Sequence, residues 1–580
     1  MSSIHKDTES SRDQDFESEQ DAQLGVVTVE AAEKVYGRYS KWFLFIGLAL
    51  ASYVYSLDGS TTYTYLAFAA SSFGKHSLIS SIQVAQSIIL ACGKPVIAKV
   101  ADVTSRGTAY VAVLLFYVVG YIIIASAHNV GALGGGIVIY ACGYTGLQLL
   151  TQVIIADITT LKWRGLVSGL TSSPFIINGF IGANVSAGVM AHAGWRWGYG
   201  MFAILIPVSL SPLIITLYWA ETKAKKLGLV KAAPSEPSRT VLQTIWNYAE
   251  QLDVIGLLLM GAAVALILLP LTLSQTAKGK WDNPSMIAML VVGCVLLIVF
   301  AIWDFRFAKR PVVALRFLKN RAVLAASWIG FFDFVSFYLT STYLYSFVLV
   351  VKPWSLVDAN YFSSCVSVAL TVFGICAGVY MRFAHRYKWL LVVGLVIRLA
   401  GVGMMIHSRG ANASDAELVW TQIIQGMGGG IAAAASQVGA QASVPHADVA
   451  IITAIVLLWT EIGGAIGTAI AGAIWTNTMP KNLAKYIGFL PADQQAEIFG
   501  SITDVMKYPR GDPIREGVIT AYGETMKVLV ITATVLSIFP VIFSLFMPDY
   551  YLGDTQNAVE DVDLAGERIP AASANQTERS

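Results

Sequence analysis

Charged side chains are scarce in this sequence. Asp, Glu, Lys and Arg make up 13% of 580 residues, where a soluble globular protein carries about 25%. Cysteine is scarcer still. Cys92, Cys142, Cys294, Cys365 and Cys376 all fall in or beside apolar runs. None has metal-ligand spacing and none lies in a long polar segment, which argues against a thiolate metal centre or a disulfide scaffold and leaves them as packing residues. No His/Cys/Asp cluster is placed to hold bare iron or another free metal ion. A formal net charge of +2 gives no ground for a nucleic-acid partner. The first 40 residues have no apolar core, so no cleavable signal peptide is expected.

Apolar length is what the chain has in abundance. Its hydrophobic content is 55% and its mean hydropathy is +0.61. Apolar runs occupy about 42–66, 77–98, 108–128, 131–156, 167–190 and 198–220. A basic, proline-containing linker follows. Further runs lie at about 253–274, 284–303, 322–350, 359–381, 389–408, 416–440, 447–476 and 525–547. That is about fourteen transmembrane helices by window length, an all-α membrane protein rather than a soluble enzyme.

The pattern divides the chain into seven stretches. Residues 1–40 form a disordered tail rich in Asp, Glu, Ser and Gln, and 41–220 a six-helix bundle. Residues 221–320 hold the linker and two extra spans, and 321–476 a second bundle. Residues 477–524 make an extracellular loop, 525–548 the last span, and 549–580 an acidic disordered tail. Basic residues cluster in alternate loops (Lys99 and Arg106, Lys162 and Arg164, Arg382, Arg386 and Lys388). The positive-inside rule then puts both termini in the cytosol.

Polar residues inside apolar runs are the functional candidates. Tyr55, Asp58, Thr62 and Tyr65 fall on one helix face, with Thr61 beside them. A carboxylate at the bilayer centre costs about 3 kcal/mol or more unless it meets a partner or a cavity. Asp58, Glu461 and Asp333 are such carboxylates. Burial in apolar surroundings favours the protonated form of a carboxyl group, so these three are candidates for proton coupling. Gln148 and Gln152 share a face, and Asn178, Gln422, Gln425 and Trp459 add amide and aromatic groups to a candidate substrate cavity. Amide side chains in membrane helices are as often interhelical hydrogen-bond partners.

The stretch Gly93-Lys-Pro-Val-Ile-Ala98-Lys99-Val-Ala-Asp102-Val-Thr-Ser105-Arg106-Gly107 resembles the loop motif of the major facilitator superfamily. Ala98, Asp102 and Arg106 stand at matching positions, and Ser105 replaces the family's glycine. The resemblance implies a gating latch at Asp102 and Arg106. Asp157 and Arg164 lie at the same membrane end, where pairing between them is expected.

A narrower resemblance rests on four features. They are the Tyr55–Tyr65 stretch, the Ala156-Asp-Ile-Thr-Thr-Leu-Lys-Trp-Arg-Gly165 loop, the glycine-rich Gln425-Gly426-Met-Gly428-Gly-Gly430 helix, and the long loop before the last span. Together they resemble the fungal siderophore–iron transporters, the fourteen-span branch of that superfamily, over about residues 40–550. The resemblance implies a major facilitator fold of two bundles plus two extra spans. It also implies import of a ferric siderophore driven by protons, with iron present only as cargo and no resident cofactor. A hydroxamate-type cargo would suit a wide aromatic and amide pocket, because a ferric trihydroxamate is neutral at its metal centre.

Tyr508, Arg515 and Tyr522 are expected in an extracellular lid. A monomer in the plasma membrane fits best, with an endosomal or vacuolar membrane as the alternative. The rival function is a multidrug or metabolite/proton antiporter, including a glutathione exchanger; Ser173-Pro174-Phe is a poor match to the Gly-Pro-rich pattern of antiporters. A non-transporting sensor would need a long signalling tail.

Overall fold

The computed structural model describes residues 24–73, 79–229, 253–273, 282–308, 319–354, 356–410, 413–500 and 507–559, with isolated positions 250, 279, 317 and 505. A short helix α1 (Leu24–Glu33) precedes the first bundle. That bundle comprises α2 (Arg38–Ser72), α3 (Ile79–Val103), α4 (Arg106–Ala125), α5 (Val130–Ile158), α6 (Leu161–Ser172), α7 (Pro174–His192) and α8 (Gly194–Lys226). The extra spans are α9 (Val254–Leu273) and α10 (Pro284–Arg306). The second bundle comprises α11 (Arg321–Ser341), α12 (Leu344–Val351), α13 (Leu356–Ala384), α14 (Lys388–Ser408), α15 (Asp415–Ala442), α16 (Val449–Tyr486), α17 (Ala492–Gly500), α18 (Pro513–Leu536) and α19 (Ile538–Phe546).

Each of the fourteen apolar runs is largely helical over its described residues. Ten helices among the described residues are long and apolar enough to cross a membrane, and the bent pair α6–α7 makes an eleventh. The 49° bend falls between Gly182 and Asn184, inside α7, while Pro174 stands at the first position of α7, where its missing backbone donor is tolerated. Side-chain caps set several starts. Ser105 accepts from the Thr108 amide, Asn129 from Ala132, and Ser414 forms a reciprocal capping box with Glu417.

One core fills the first bundle, built from Leu44, Tyr65, Tyr117, Tyr121, Phe202 and their neighbours. One fills the outer part of the second bundle, and another runs across both, joining Ala98, Leu149, Val153 and Leu161 to second-bundle residues. The bundles meet where α6 and α7 pack on α13 and where α3 packs on α16. The extra spans pack on each other, and α9 lies against α3 and α16.

Three expected boundaries move. The polar stretch 477–524 is mostly helix: α16 continues to Tyr486 and α18 begins at Pro513, leaving a loop of 487–512 with α17 inside it. Amphipathic extension explains this, since Leu483 and Ile487 are buried while Lys481 and Lys485 stay exposed, and Asn482 donates to Thr525 Oγ1 at 2.9 Å. The N-terminal tail contains α1, whose Ala31 and Ala32 are buried. The C-terminal tail is packed as far as residue 559, with Leu552, Gln556 and Asn557 fully buried. Residues 1–23 and 560–580 lie outside the described residues.

Candidate functional site

Asp58 lies in the middle of α2, fully buried within the first bundle. Tyr117 and Tyr121 of α4 and Tyr140 of α5 donate their hydroxyls to its two carboxylate oxygens, Tyr140 at 2.9 Å. Three phenols therefore take the place of water around the carboxylate. Their rings pack on one another with centroids 4.6–5.3 Å apart. These tyrosines were not legible as partners, although Tyr110, Tyr117 and Tyr121 recur on one face of α4 at helical spacing.

The neighbours of Asp58 divide. Thr61 and Thr62 donate back to the carbonyls of Leu57 and Asp58 in their own helix, at 2.9 and 2.8 Å. Tyr65 is fully buried edge-on to Tyr199, and a Cβ on Gly198 would come within 2.8 Å of its ring. Tyr55 reaches the other way, stacking on Tyr144 at 4.6 Å with Phe175 at its edge.

Between the bundles, Lys94 Nζ of α3 donates to Glu461 Oε1 of α16 at 2.7 Å. Lys94 is inaccessible to solvent and the Glu461 side chain is 22% exposed. Tyr55, Tyr144 and Tyr338 lie within electrostatic reach of Glu461. Lys94 sits well inside α3, which runs to Val103, rather than at the start of a loop. Gln152 accepts from Gln437 Nε2 of the second bundle at 3.1 Å and from Ser168 Oγ at 3.0 Å. Gln148 lies half-buried one turn away on α5.

The remaining cavity candidates are scattered. Asn178 donates to the Tyr53 carbonyl, joining α7 to α2, and Gln425 donates to Thr340 Oγ1, joining α15 to α11. Gln422 is buried with neither amide atom paired. Trp459 packs against Trp328 and Phe331. Asp333 forms a close ion pair with Arg398 of α14, which also donates to the Asp333 carbonyl at 2.8 Å. The glycine-rich stretch makes this possible. A Cβ on Gly429 would lie 2.6 Å from Arg398 Nη1, and one on Gly426 would lie 2.6 Å from the Val366 carbonyl oxygen.

A second charged group lies at the end of the molecule where the described chain begins and ends, the terminus-bearing end. Arg106 binds Asp102 at 2.7 Å and Asp157 at 2.9 Å, all three buried. His446 of the second bundle lies 3.7 Å from Asp157 Oδ1. The expected Asp157–Arg164 pairing is corrected here: among their described partners, Asp157 takes Arg106, while Arg164 points into the loops and donates to the carbonyls of Ala156, Thr159 and Gln556 at 3.0, 3.3 and 2.8 Å. Ser105, where the superfamily motif has glycine, serves as the N-cap of α4.

A model of the Major Facilitator Superfamily matches residues 45–468. The chain is 38% identical to the siderophore transporter fer7 of Mycosarcoma maydis, covering 97% of this chain and 89% of that protein. The chain belongs to the fungal siderophore–iron transporter family of the major facilitator superfamily. It is also 37% identical to the low affinity heme transporter str3 of Schizosaccharomyces pombe, over 92% of this chain and 87% of that one. Identity to the siderophore iron transporter ARN1 of Saccharomyces cerevisiae is 30%, over 92% and 86%. Among solved structures, the proton:xylose symporter XylE shares the fold, with a TM-score of 0.51 at 11% identity, covering 90% of this chain and 98% of that chain.

In this family member the expected lid residues are anchors of the second bundle. Arg515 is buried in the first turn of α18 and donates to the carbonyls of Leu349, Val350 and Val505. Tyr522 lies edge-on to Trp475, which stacks on Tyr343. Tyr508 packs against the same core.

Residues 548–558 strap the two bundles together at the terminus-bearing end. The amides of Leu161 and Lys162 donate to the carbonyls of Thr555 and Gly553, both at 3.1 Å. Leu552 exchanges hydrogen bonds with His385, and Gln556 meets His446 at 3.2 Å. Truncation after Met547 should therefore expose the Lys162–Arg164 segment to trypsin in the detergent-solubilised protein. Cleavage there at the rate of the intact chain would show that the strap holds nothing.

Proposed function

We propose that this protein imports ferric siderophores of the hydroxamate type, driven by protons moving with the cargo. The observation that carries this reading is the likeness to a named siderophore transporter over 97% of the chain. The site's chemistry supports it. Stacked tyrosines and amides between the bundles suit a bulky cargo that is neutral at its metal and whose ligand oxygens accept hydrogen bonds. Of the three carboxylates, Asp333 is held by Arg398, Asp58 is enclosed by phenols, and Glu461 alone spans the bundle interface. The terminus-bearing end faces the cytosol by its basic loops. The protein acts as a monomer in the plasma membrane.

The test is radio-iron uptake, siderophore by siderophore, in an iron-starved fungal strain lacking its own transporters, with haemin as a separate arm because of the haem-transporter relative. Ferric trihydroxamates should accumulate, and a protonophore should abolish accumulation. Uptake of haemin alone, or accumulation indifferent to the protonophore, overturns the reading.

A further inference from the structure

Import driven by protons leaves Lys94 without a task. It sits in the first bundle, inaccessible to solvent, and reaches across to the partly exposed Glu461 of the second. An ammonium buried without an acceptor is strongly unfavourable, so Lys94 needs an acceptor in every state of the cycle. Protonation of Glu461 removes the charge that holds it. The proton and Lys94 therefore compete for one carboxylate.

We propose that Lys94 is the residue through which cargo binding controls protonation: it exchanges partners, leaving Glu461 for the oxygen atoms of the ferric siderophore's iron-binding groups. This rests on the transport reading above. In the empty carrier the ammonium binds Glu461. When cargo arrives, its oxygens accept from Lys94, whose flexible stem carries three rotatable donors. Glu461, released, then takes one proton from water. No bond to iron changes and the metal stays ferric. Cargo thus raises the proton affinity of Glu461, and by reciprocity the proton raises the affinity for cargo. An empty carrier with Glu461 protonated would strand Lys94, which opposes proton leak.

The surroundings leave Lys94 as the cation that governs Glu461. Among the described residues, Tyr55 of α2, Tyr144 of α5 and Tyr338 of α11 also lie in electrostatic reach of Glu461. On α3, Cys92 is turned to the Gly261 carbonyl of α9, and Lys99 and Asp102 belong to the terminus-bearing end. Helix α9 itself carries no titratable side chain. On α11, Asp333 is taken by Arg398. The acidic first turn of α15 lies at the opposite end of that helix from Gln437, and Asp157 of α5 is bound in the Arg106 latch. Glu524 and Lys527 of α18 are exposed and flank Thr525, which is level with Met479 and Asn482, about five turns of α16 from Glu461. Asp493 and Glu497 of α17 lie farther out still.

The experiment uses the purified full chain and a radio-iron-loaded trihydroxamate. Proton uptake on cargo binding is read with a pH dye in detergent. Cargo–cargo exchange and accumulation under a pH gradient are read in proteoliposomes. Wild type should take up one proton per cargo, with cargo affinity rising about tenfold as Glu461 becomes protonated. Lys94→Gln and Glu461→Gln should bind cargo more weakly yet still exchange it at saturating cargo, while losing proton uptake, the pH dependence of affinity, and accumulation. Lys94→Arg should restore all three. A purely structural pair would instead lower exchange and accumulation together. Proton uptake or gradient-driven accumulation persisting in Lys94→Gln overturns the proposal. If either single variant fails to fold, the double variant strands no charge; it should exchange cargo without proton uptake, and proton uptake by it overturns the proposal. A wild type that moves no ferric trihydroxamate overturns the transport reading and this one with it, whereas coupled wild-type transport unchanged in Lys94→Gln overturns this one alone.

Discussion

Arg398→Met should lower the stability of the protein by about 3–5 kcal/mol, the cost of removing one partner from a buried ion pair. The Arg398 side chain is 4% exposed and that of its partner Asp333 is 12% exposed, so little water reaches the carboxylate left behind. The guanidinium also holds the Asp333 carbonyl at 2.8 Å, and methionine cannot replace that donor. The slot between Gly428 and Gly429 accommodates an unbranched side chain, which separates loss of charge from overpacking. The thermal unfolding midpoint of the solubilised protein is the measurement. Adding Asp333→Asn should recover most of the loss, because the double variant buries no lone charge. An unchanged midpoint in Arg398→Met would show that the pair contributes nothing to the fold.

The second large effect concerns Asp58. Three phenols donate to its carboxylate. Asparagine offers one acceptor oxygen in its place, and its amide donors face hydroxyls that are already donors. At least one buried hydroxyl loses its acceptor, at about 1–3 kcal/mol, and Asp58→Leu, which strands all three, should cost more still. The functional consequence travels further. Tyr140 packs on Tyr144 at 5.6 Å and Tyr144 on Tyr55 at 4.6 Å, a line of rings from the Asp58 cage to the bundle interface. Polar groups in low dielectric orient one another, so neutralising Asp58 should reach Glu461. Asp58→Asn is therefore expected to bind a ferric siderophore and exchange it, yet fail to concentrate it. Normal proton-dependent uptake by this variant would remove Asp58 from the coupling.

Much of the molecule was legible in its sequence for one reason: the cost of a polar group in lipid is local. Each run near 20 apolar residues had to be a helix because no other single segment satisfies its own backbone there. That placed the helices and their order, and ten of them, or eleven with the bent pair, are long and apolar enough among the described residues to cross a membrane. The same logic singled out Asp58, Asp333 and Glu461, since few carboxylates sit at such depth. Asp102 and Arg106 were legible because their partnership is four residues apart on adjoining helix ends. Amphipathic extensions such as residues 481–487, and the strap at 548–558, carry weaker local signals and were misjudged.

What the tertiary structure decided is which charge meets which. Lys94 and Glu461 are 367 positions apart, Asp58 and Tyr140 are 82 apart, and Arg164 meets a carbonyl 392 residues away. Helical periodicity relates residues three, four and seven apart on a single helix and is silent on such pairs. They exist because glycines on α15 admit Arg398 and because α3 packs on α16 across the bundle interface. The Tyr55–Tyr65 stretch divides accordingly: its apolar context determined a membrane helix with a buried carboxylate, and only packing turned Asp58 inward to three phenols and Tyr55 outward to the interface.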